Sequence, residues 1–254
     1  MLKREGAEKE YTHEQIESAR QAFNDMDEAK RAALSKNILM GLPGSVDDYS
    51  LEDFREALNA YANIDAIQLK KNLFYFLEQI IPVAEEAGIR MAIHPDDPPF
   101  SLLGLPRILS TEADAKELLD AVDSPSNGLC FCTGSYGVRS DNDLAGIVNR
   151  LGNRIHFIHL RATKRDAMGN FHEADHLDGD VDMFAVVKAL VEEENRRNKA
   201  KLPNPTIPMR PDHGHLMLDD LHKTTYPGYS GIGRLRGLAE IRGLELGIKR
   251  FLAE

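Results

Sequence analysis

Four apolar runs in this chain each end in a residue that binds metals well, and that recurrence limits what the chain can fold into. Met91-Ala-Ile-His94 stops at a His before Pro95, and Leu129-Cys-Phe-Cys132 stops at a Cys before Thr133-Gly134. Ile155-His-Phe-Ile-His159 stops at a His before Leu160-Arg161. The stretch Ile207-Pro-Met-Arg-Pro-Asp-His-Gly214 delivers Asp212 and His213 side by side and ends at a glycine. The spacing predicts strands over 89–94, 128–133, 154–160 and 207–211. Helix-period segments separate them, at about 66–87, 111–122, 140–151 and 181–198, with a last helix to about 252. Alternating strands and helices mean a parallel sheet with helices outside it. In (β/α)8 barrels the chemistry sits at the carboxyl ends of the strands, where these four ligands lie. The expected class is α/β, a TIM-barrel-type (β/α) parallel sheet.

The amino-terminal part reads differently. Thr12-His-Glu-Gln15 is a capping box that opens a helix to about residue 24, and a second helix covers about 27–38. Gly41-Leu-Pro-Gly44 reads as a turn, and Ser50-Leu-Glu-Asp53 opens a third helix with Phe54, Leu58 and Tyr61 on one face. Residues 1–64 lack the β-branched runs that strands require. A barrel has eight strands, so the four legible ones predict an incomplete barrel, its C-terminal half, behind an N-terminal helical segment. The expected boundary separates a helical segment, 1–64, from a barrel portion with the metal site, 65–254. Residues 161–180 read as a long polar loop.

Strand alternation sorts the candidate site residues by face. Ala92 and His94 share a face, as do Cys130 and Cys132, Phe157 and His159, and Arg210 and Asp212. His94, Cys132, His159 and Asp212 offer mixed N, S and O donors. Such a set suits a borderline divalent transition ion, and Mn²⁺, Fe²⁺, Zn²⁺ and Co²⁺ are all compatible with it. His213 is a candidate acid/base, because imidazole titrates near neutrality. Tyr229, in Pro-Gly-Tyr-Ser, offers a phenol in a loop beyond Asp212. Arg161 and Arg210 flank strand ends and are of the type that grips a carboxylate with two prongs. His172 and His176 belong to an acidic loop, read as solvated, from which both can close over a ligand, with His172 the candidate for substrate binding. His156, on the strand face opposite His159, is expected to pack against a helix, and Cys130 to fill core space.

The formal net charge is -10, which excludes nonspecific binding to nucleic acid or to an anionic membrane. No apolar run approaches the roughly 20 residues a membrane helix needs. The opening Met-Leu-Lys-Arg-Glu-Gly has no apolar signal core. The two cysteines, spaced as Cys-Phe-Cys in a strand, frame a structural disulfide poorly. The expected location is cytoplasmic.

The chain resembles the D-mannonate dehydratase family. The resemblance is carried by Met91-Ala-Ile-His-Pro-Asp-Asp-Pro-Pro99, Cys132-Thr-Gly-Ser-Tyr-Gly137, His159-Leu-Arg161 and Phe171-His-Glu-Ala174. It continues through Leu177-Asp-Gly-Asp-Val-Asp-Met183, Arg210-Pro-Asp-His-Gly-His215, Pro227-Gly-Tyr-Ser230 and Gly233-Arg-Leu235. It implies a TIM-barrel lyase of hexuronate (glucuronate) catabolism that removes water from D-mannonate to give 2-keto-3-deoxy-D-gluconate, using Mn²⁺ or Fe²⁺. By motif position, the family's metal ligands fall on His94, Cys132, His159 and Asp212. Its catalytic His falls on His213 and its catalytic Tyr on Tyr229, with Tyr226 as a nearby competitor. Similar enzymes associate as dimers or larger homo-oligomers. The resemblance also implies a departure: the family's chain is longer at the amino end, where it supplies the first barrel strands.

Two other readings stay open on the sequence. One is a related metal-dependent sugar isomerase or epimerase, against which the Cys132 ligand counts. The other is a catalytically impaired metal-binding barrel fragment that needs a partner chain. A hydrolytic zinc enzyme is a weaker third.

Overall fold

In a computed structural model of the chain the structure describes residues 7–39, 50–226 and 228–253. The turn expected at 41–44 and Pro227 of the last motif lie outside those residues. The chain divides into two compact units, one of residues 1–69 with 101–107, the other of 70–100 with 108–254.

The first unit is helical. Thr12 opens α1 (His13–Asp25) by accepting from the Gln15 amide, while the Gln15 side chain accepts from the Thr12 amide, the reciprocal cap its sequence predicts. α2 (Glu28–Leu39) follows, and Arg31 lies 4.6 Å over the Phe23 ring. Ser50 and Asp53 form the same kind of cap on α3 (Leu51–Asn59). α1 and α2 bury no residue, as their polar composition dictates.

The second unit is a mixed α/β structure built on a parallel sheet. β1 (Leu129–Cys132) pairs with β2 (Ile155–His159), which pairs with β5 (Met209–Arg210). The run 91–94 lies along the free side of β1: the Ile93 amide donates to Gly128 O at 2.9 Å, and Ile93 O accepts from Cys130 N at 2.9 Å. The four runs therefore neighbour one another in sequence order, with their carboxyl ends on one side. The expected strand 89–94 narrows to a single bridge, and 207–211 narrows to two residues. Pro208 and Pro211 remove amide donors from that last strand, so its ladder cannot extend.

Between the runs lie α5 (Glu112–Ala121), α6 (Thr133–Gly137), α7 (Leu144–Leu151) and α8 (Met183–Lys199), and α9 (Gly231–Phe251) closes the chain. α4 (Ala66–Glu86) precedes the first run and continues through Pro82. All four residues of β1 are buried, which is why its sequence is apolar throughout rather than alternating. Leu77 and Ile81 of α4 pack with Leu118 and Leu129, while Val186 and Leu190 of α8 pack with Phe131, Ile155 and Ile158.

The 161–180 segment corrects the sequence reading. It forms an antiparallel hairpin, β3 (Ala162–Arg165) with β4 (Phe171–Ala174), rather than an unstructured polar loop. A buried ion pair fixes α8 to the start of β2. Arg197 donates from Nε to Glu193 at 2.7 Å and from Nη2 to Gly152 O at 2.6 Å and Ile155 O at 2.9 Å. No helix among the described residues is long and apolar enough to cross a membrane.

Candidate metal centre

The parallel register carries three of the expected donors to one point. His94, Cys132 and His159 each offer one ligand atom, and those atoms lie within 4.8 Å of one another. The His94 and His159 ring centroids are 5.1 Å apart. His94 Nδ1 contacts Pro95 O at 2.7 Å. A carbonyl only accepts, so Nδ1 carries the proton and Nε2 keeps its lone pair for a metal. Cys132 is fully buried, and its Sγ accepts from Ser135 N at 3.4 Å and Ser135 Oγ at 3.2 Å. The sulfur thereby caps the short helix α6. His159 is buried, and its Nδ1 has no hydrogen-bond partner among the described residues. A buried imidazole nitrogen without a hydrogen bond, on a residue that shares a 4.8 Å cluster with a thiol and a second imidazole, fits a divalent transition ion, which would take up all three donors.

Asp212 stands beside the cluster and outside its mutual set. Its Oδ1 is 3.5 Å from His159 Nδ1 and accepts from Arg210 Nη2 at 2.6 Å. Burial pushes the Asp212 carboxyl up, but His159, His213 and Arg210 outweigh it and hold the group below the usual carboxylate range. The Asp212 backbone is left-handed, with φ 60°, a conformation that Asp tolerates better than most residues. His176 donates from Nε2 to Pro211 O at 2.6 Å and so pins the peptide before that turn. His176 is buried, which corrects the expectation of a solvated loop at that residue.

His213 follows Asp212 and lines a 580 Å³ cleft together with Glu173, His215 and Leu216. Its Nδ1 lies 2.9 Å from Glu173 Oε2, and its Nε2 lies 3.9 Å from Asp212 Oδ2. The Tyr229 ring meets it edge-on at 5.2 Å, and Gly214 N donates to Gly228 O at 2.9 Å to fix that approach. Gly228 has φ 81°, and a Cβ there would sit 3.4 Å from the His213 ring. Tyr226, the competing phenol, is 55% exposed.

The arginines differ in their availability. Arg161 is 7% exposed, with Nη1 on Asp97 at 2.5 Å and Nε 2.9 Å from each oxygen of Glu173. Burial disfavours its charge, yet Asp97 and Glu173 hold it above the ordinary arginine range. This guanidinium is committed to protein carboxylates rather than turned toward the cleft. The Arg210 side chain is 47% exposed and keeps surface beyond its bond to Asp212. His172 is exposed on β4 and points away from Glu173, as strand alternation requires. His156 donates from Nδ1 to Met91 O at 2.5 Å in the neighbouring run. Cys130 is buried, and burial pushes its thiol up to about 12.

Glu173 and Asp97 are the members of this constellation that sequence reasoning passes over. Their signal was present, since both lie inside motifs already singled out, Phe171-His-Glu-Ala174 and His94-Pro-Asp-Asp97.

A family model described as D-mannonate dehydratase (UxuA) matches residues 5–254. Mannonate dehydratase of Marinomonas sp. (strain MWYL1) is 54% identical over 253 residues, 99% of this chain and 64% of that protein. Mannonate dehydratase of Chromohalobacter salexigens is 54% identical over 251 residues, 98% of this chain and 64% of that protein. The chain thus spans 64% of the length of these curated relatives. The crystal structure of mannonate dehydratase from Streptococcus suis serotype 2 superposes with a TM-score of 0.71 at 37% identity, covering 83% of this chain and 58% of that one. A D-tagatose 3-epimerase-like protein superposes with a TM-score of 0.51 at 13% identity, over 76% of this chain and 60% of that one, a likeness of fold alone.

Proposed function

We infer the function of this chain from the fact that it belongs to the D-mannonate dehydratase family. In this reading it carries the metal-bearing part of a hydro-lyase that converts D-mannonate to 2-keto-3-deoxy-D-gluconate in hexuronate breakdown. The observation that carries the reading is the convergence of His94, Cys132 and His159 within 4.8 Å, beside the Asp212–His213 pair. The sheet is read as an arc of a (β/α)8 barrel, which the sequential order of its parallel runs supports. Residues 65–254 form the barrel portion and 1–64 a helical insertion.

The chemistry assigns work to named side chains. His94, Cys132 and His159 would hold Mn²⁺ or Fe²⁺, with Asp212 as the fourth ligand. When bound, the ion supplies the Lewis acidity that makes the hydrogen beside a sugar-acid carboxylate removable. His213 and Tyr229 form the acid/base pair that moves the C2 proton and protonates the departing C3 hydroxyl. Arg210, with part of its guanidinium exposed, takes the substrate carboxylate. Arg161 contributes through the carboxylates it binds, and His172 remains a candidate to close over the substrate from β4. The protein works in the cytoplasm as a homo-oligomer, a dimer or larger.

Incubating the purified 254-residue chain with D-mannonate and Mn²⁺ under reducing conditions tests this reading. Metal-dependent formation of a 2-keto acid is the expected result. A folded chain that binds Mn²⁺ and yields no product refutes turnover by this chain.

A further inference from the structure

The Asp97–Arg161–Glu173–His213 chain of contacts has a purpose that the dehydration reading leaves unassigned, and the inference drawn from it rests on that reading. We propose that Glu173 is the positioning residue of His213, and that Arg161, anchored by Asp97, fixes Glu173 in turn.

Each of the four side chains comes from a different place in the fold. Asp97 lies in the loop after the first run, Arg161 just past β2, Glu173 on β4, and His213 just past β5. The hairpin that sequence reading takes as a loop is therefore what delivers the carboxylate. Arg161 presents Nε at 2.9 Å to both oxygens of Glu173, and Asp97 takes its Nη1 at 2.5 Å. The arginine stem passes over Gly134, where a Cβ would meet Arg161 Cδ at 2.4 Å and Cγ at 2.5 Å. The route of the guanidinium is thus built into the backbone.

The chemical consequence lies in the imidazole tautomer. An ionised carboxylate only accepts, so Glu173 Oε2 at 2.9 Å draws the proton to His213 Nδ1. Nε2 keeps its lone pair and is the nitrogen on the Asp212 side, 3.9 Å from Oδ2. The Tyr229 ring meets the imidazole edge-on at 5.2 Å and limits its tilt. A base whose second nitrogen is held by a carboxylate has one tautomer and one direction of attack.

Glu173→Leu separates this role from simple bulk. It removes the acceptor of Nδ1, and the proton then belongs on Nε2, which faces Asp212 Oδ2 at 3.9 Å. A proton there blocks the base. The measurement is the histidine ¹⁵N and ¹H spectrum of the full chain after chelation, with His213 assigned by the resonance missing in His213→Gln. Expected are an Nδ1 proton in the parent chain and an Nε2 proton in Glu173→Leu. Mannonate turnover in Glu173→Leu should fall by about 10⁴-fold in kcat, the scale of losing the orienting carboxylate of a serine-protease triad, with KM little changed.

A folded Glu173→Leu chain with an unchanged Nδ1 proton overturns the proposal. If Glu173→Leu does not fold, Glu173→Ala carries the same test, and an unchanged Nδ1 proton there overturns it equally. The spectra do not require turnover. A tautomer switch in a chain inactive on mannonate leaves Glu173 as the positioning residue and refutes the dehydratase reading instead.

Discussion

Replacing Arg197 by Met removes the donors of the buried ion pair while keeping most of the stem's volume. Arg197 is 3% exposed and Glu193 1% exposed. In the variant the Glu193 carboxylate loses its 2.7 Å partner and keeps only Arg196, whose side chain is 58% exposed and held mostly by water. The Gly152 and Ile155 carbonyls lose a shared donor, although Gly152 O retains the Ile155 amide. Stranding one partner of a buried pair costs about 3–5 kcal/mol, and the retained amide keeps the Gly152 carbonyl from adding much. For a chain of this size that is a fall of roughly 6–20 °C in Tm. Urea unfolding followed by circular dichroism should show a lower midpoint with an unchanged slope. The double variant Glu193→Leu with Arg197→Met leaves no charge behind and should recover most of the loss. A single variant within about 1 kcal/mol of the parent, or a double variant no better than the single, would refute the reasoning, since either result means that the pair is not acting as a desolvated unit.

The remaining expectations are narrower. Cys132→Ser should weaken divalent-ion binding by more than about 100-fold, beyond what loss of a supporting residue does, while Cys130→Ser leaves it unchanged; titration with Co²⁺ followed by thiolate absorption distinguishes the two. Cys130, with its thiol pushed up to about 12 by burial, should resist iodoacetamide at pH 8 in the native chain and react once the chain is unfolded in urea. Asp220 is held down to about 2 by Ser230 Oγ, the Ile232 amide and Lys223, below its unfolded value of 3.8. Its contribution to stability is therefore complete above pH 3.8 and lost as pH falls through about 2, so Asp220→Asn should flatten the acid limb of a midpoint-against-pH profile there. Gly134→Ala should cost about 1–3 kcal/mol, because the added methyl displaces the Arg161 stem in a packed site; an unchanged midpoint would mean that Arg161 has room to move.

The parts of the fold legible in the sequence are those whose local pattern and tertiary burial agree. Leu129–Cys132 and Ile155–His159 read as strands because burial on both faces makes continuous apolar runs. Thr12, Ser50 and Thr111 announced helix starts because capping is a local interaction. The β3–β4 hairpin escaped for the opposite reason. Its strands carry Lys164, Arg165, His172 and Glu173, and nothing in four polar residues reveals that Ala162 and Thr163 are buried behind them. At the site, the donors that end apolar runs were legible, since topology alone brings strand ends together. Glu173 was not, because 40 residues separate it from His213 and its meaning comes from a register that no local pattern encodes. The same holds for Arg161. Sequence shows a cation at a strand end, and only the fold shows that two carboxylates already occupy it.

The sulfur of Cys132 also has a bearing on how the cluster comes together. It is at once the last atom group of a strand's side-chain row and the acceptor that starts α6. Its rotamer is therefore settled by the backbone of residues 133–135, whatever stands opposite it. An ion arriving at the centre meets a donor that needs no searching, and the entropy of ordering it has already been spent when the strand–helix turn forms. An oxygen in its place keeps the turn, since a serine hydroxyl accepts the same amide. What changes is the donor itself, from a soft thiolate to a hard, neutral hydroxyl, which makes position 132 a point where metal affinity and preference can be altered with the surrounding turn retained.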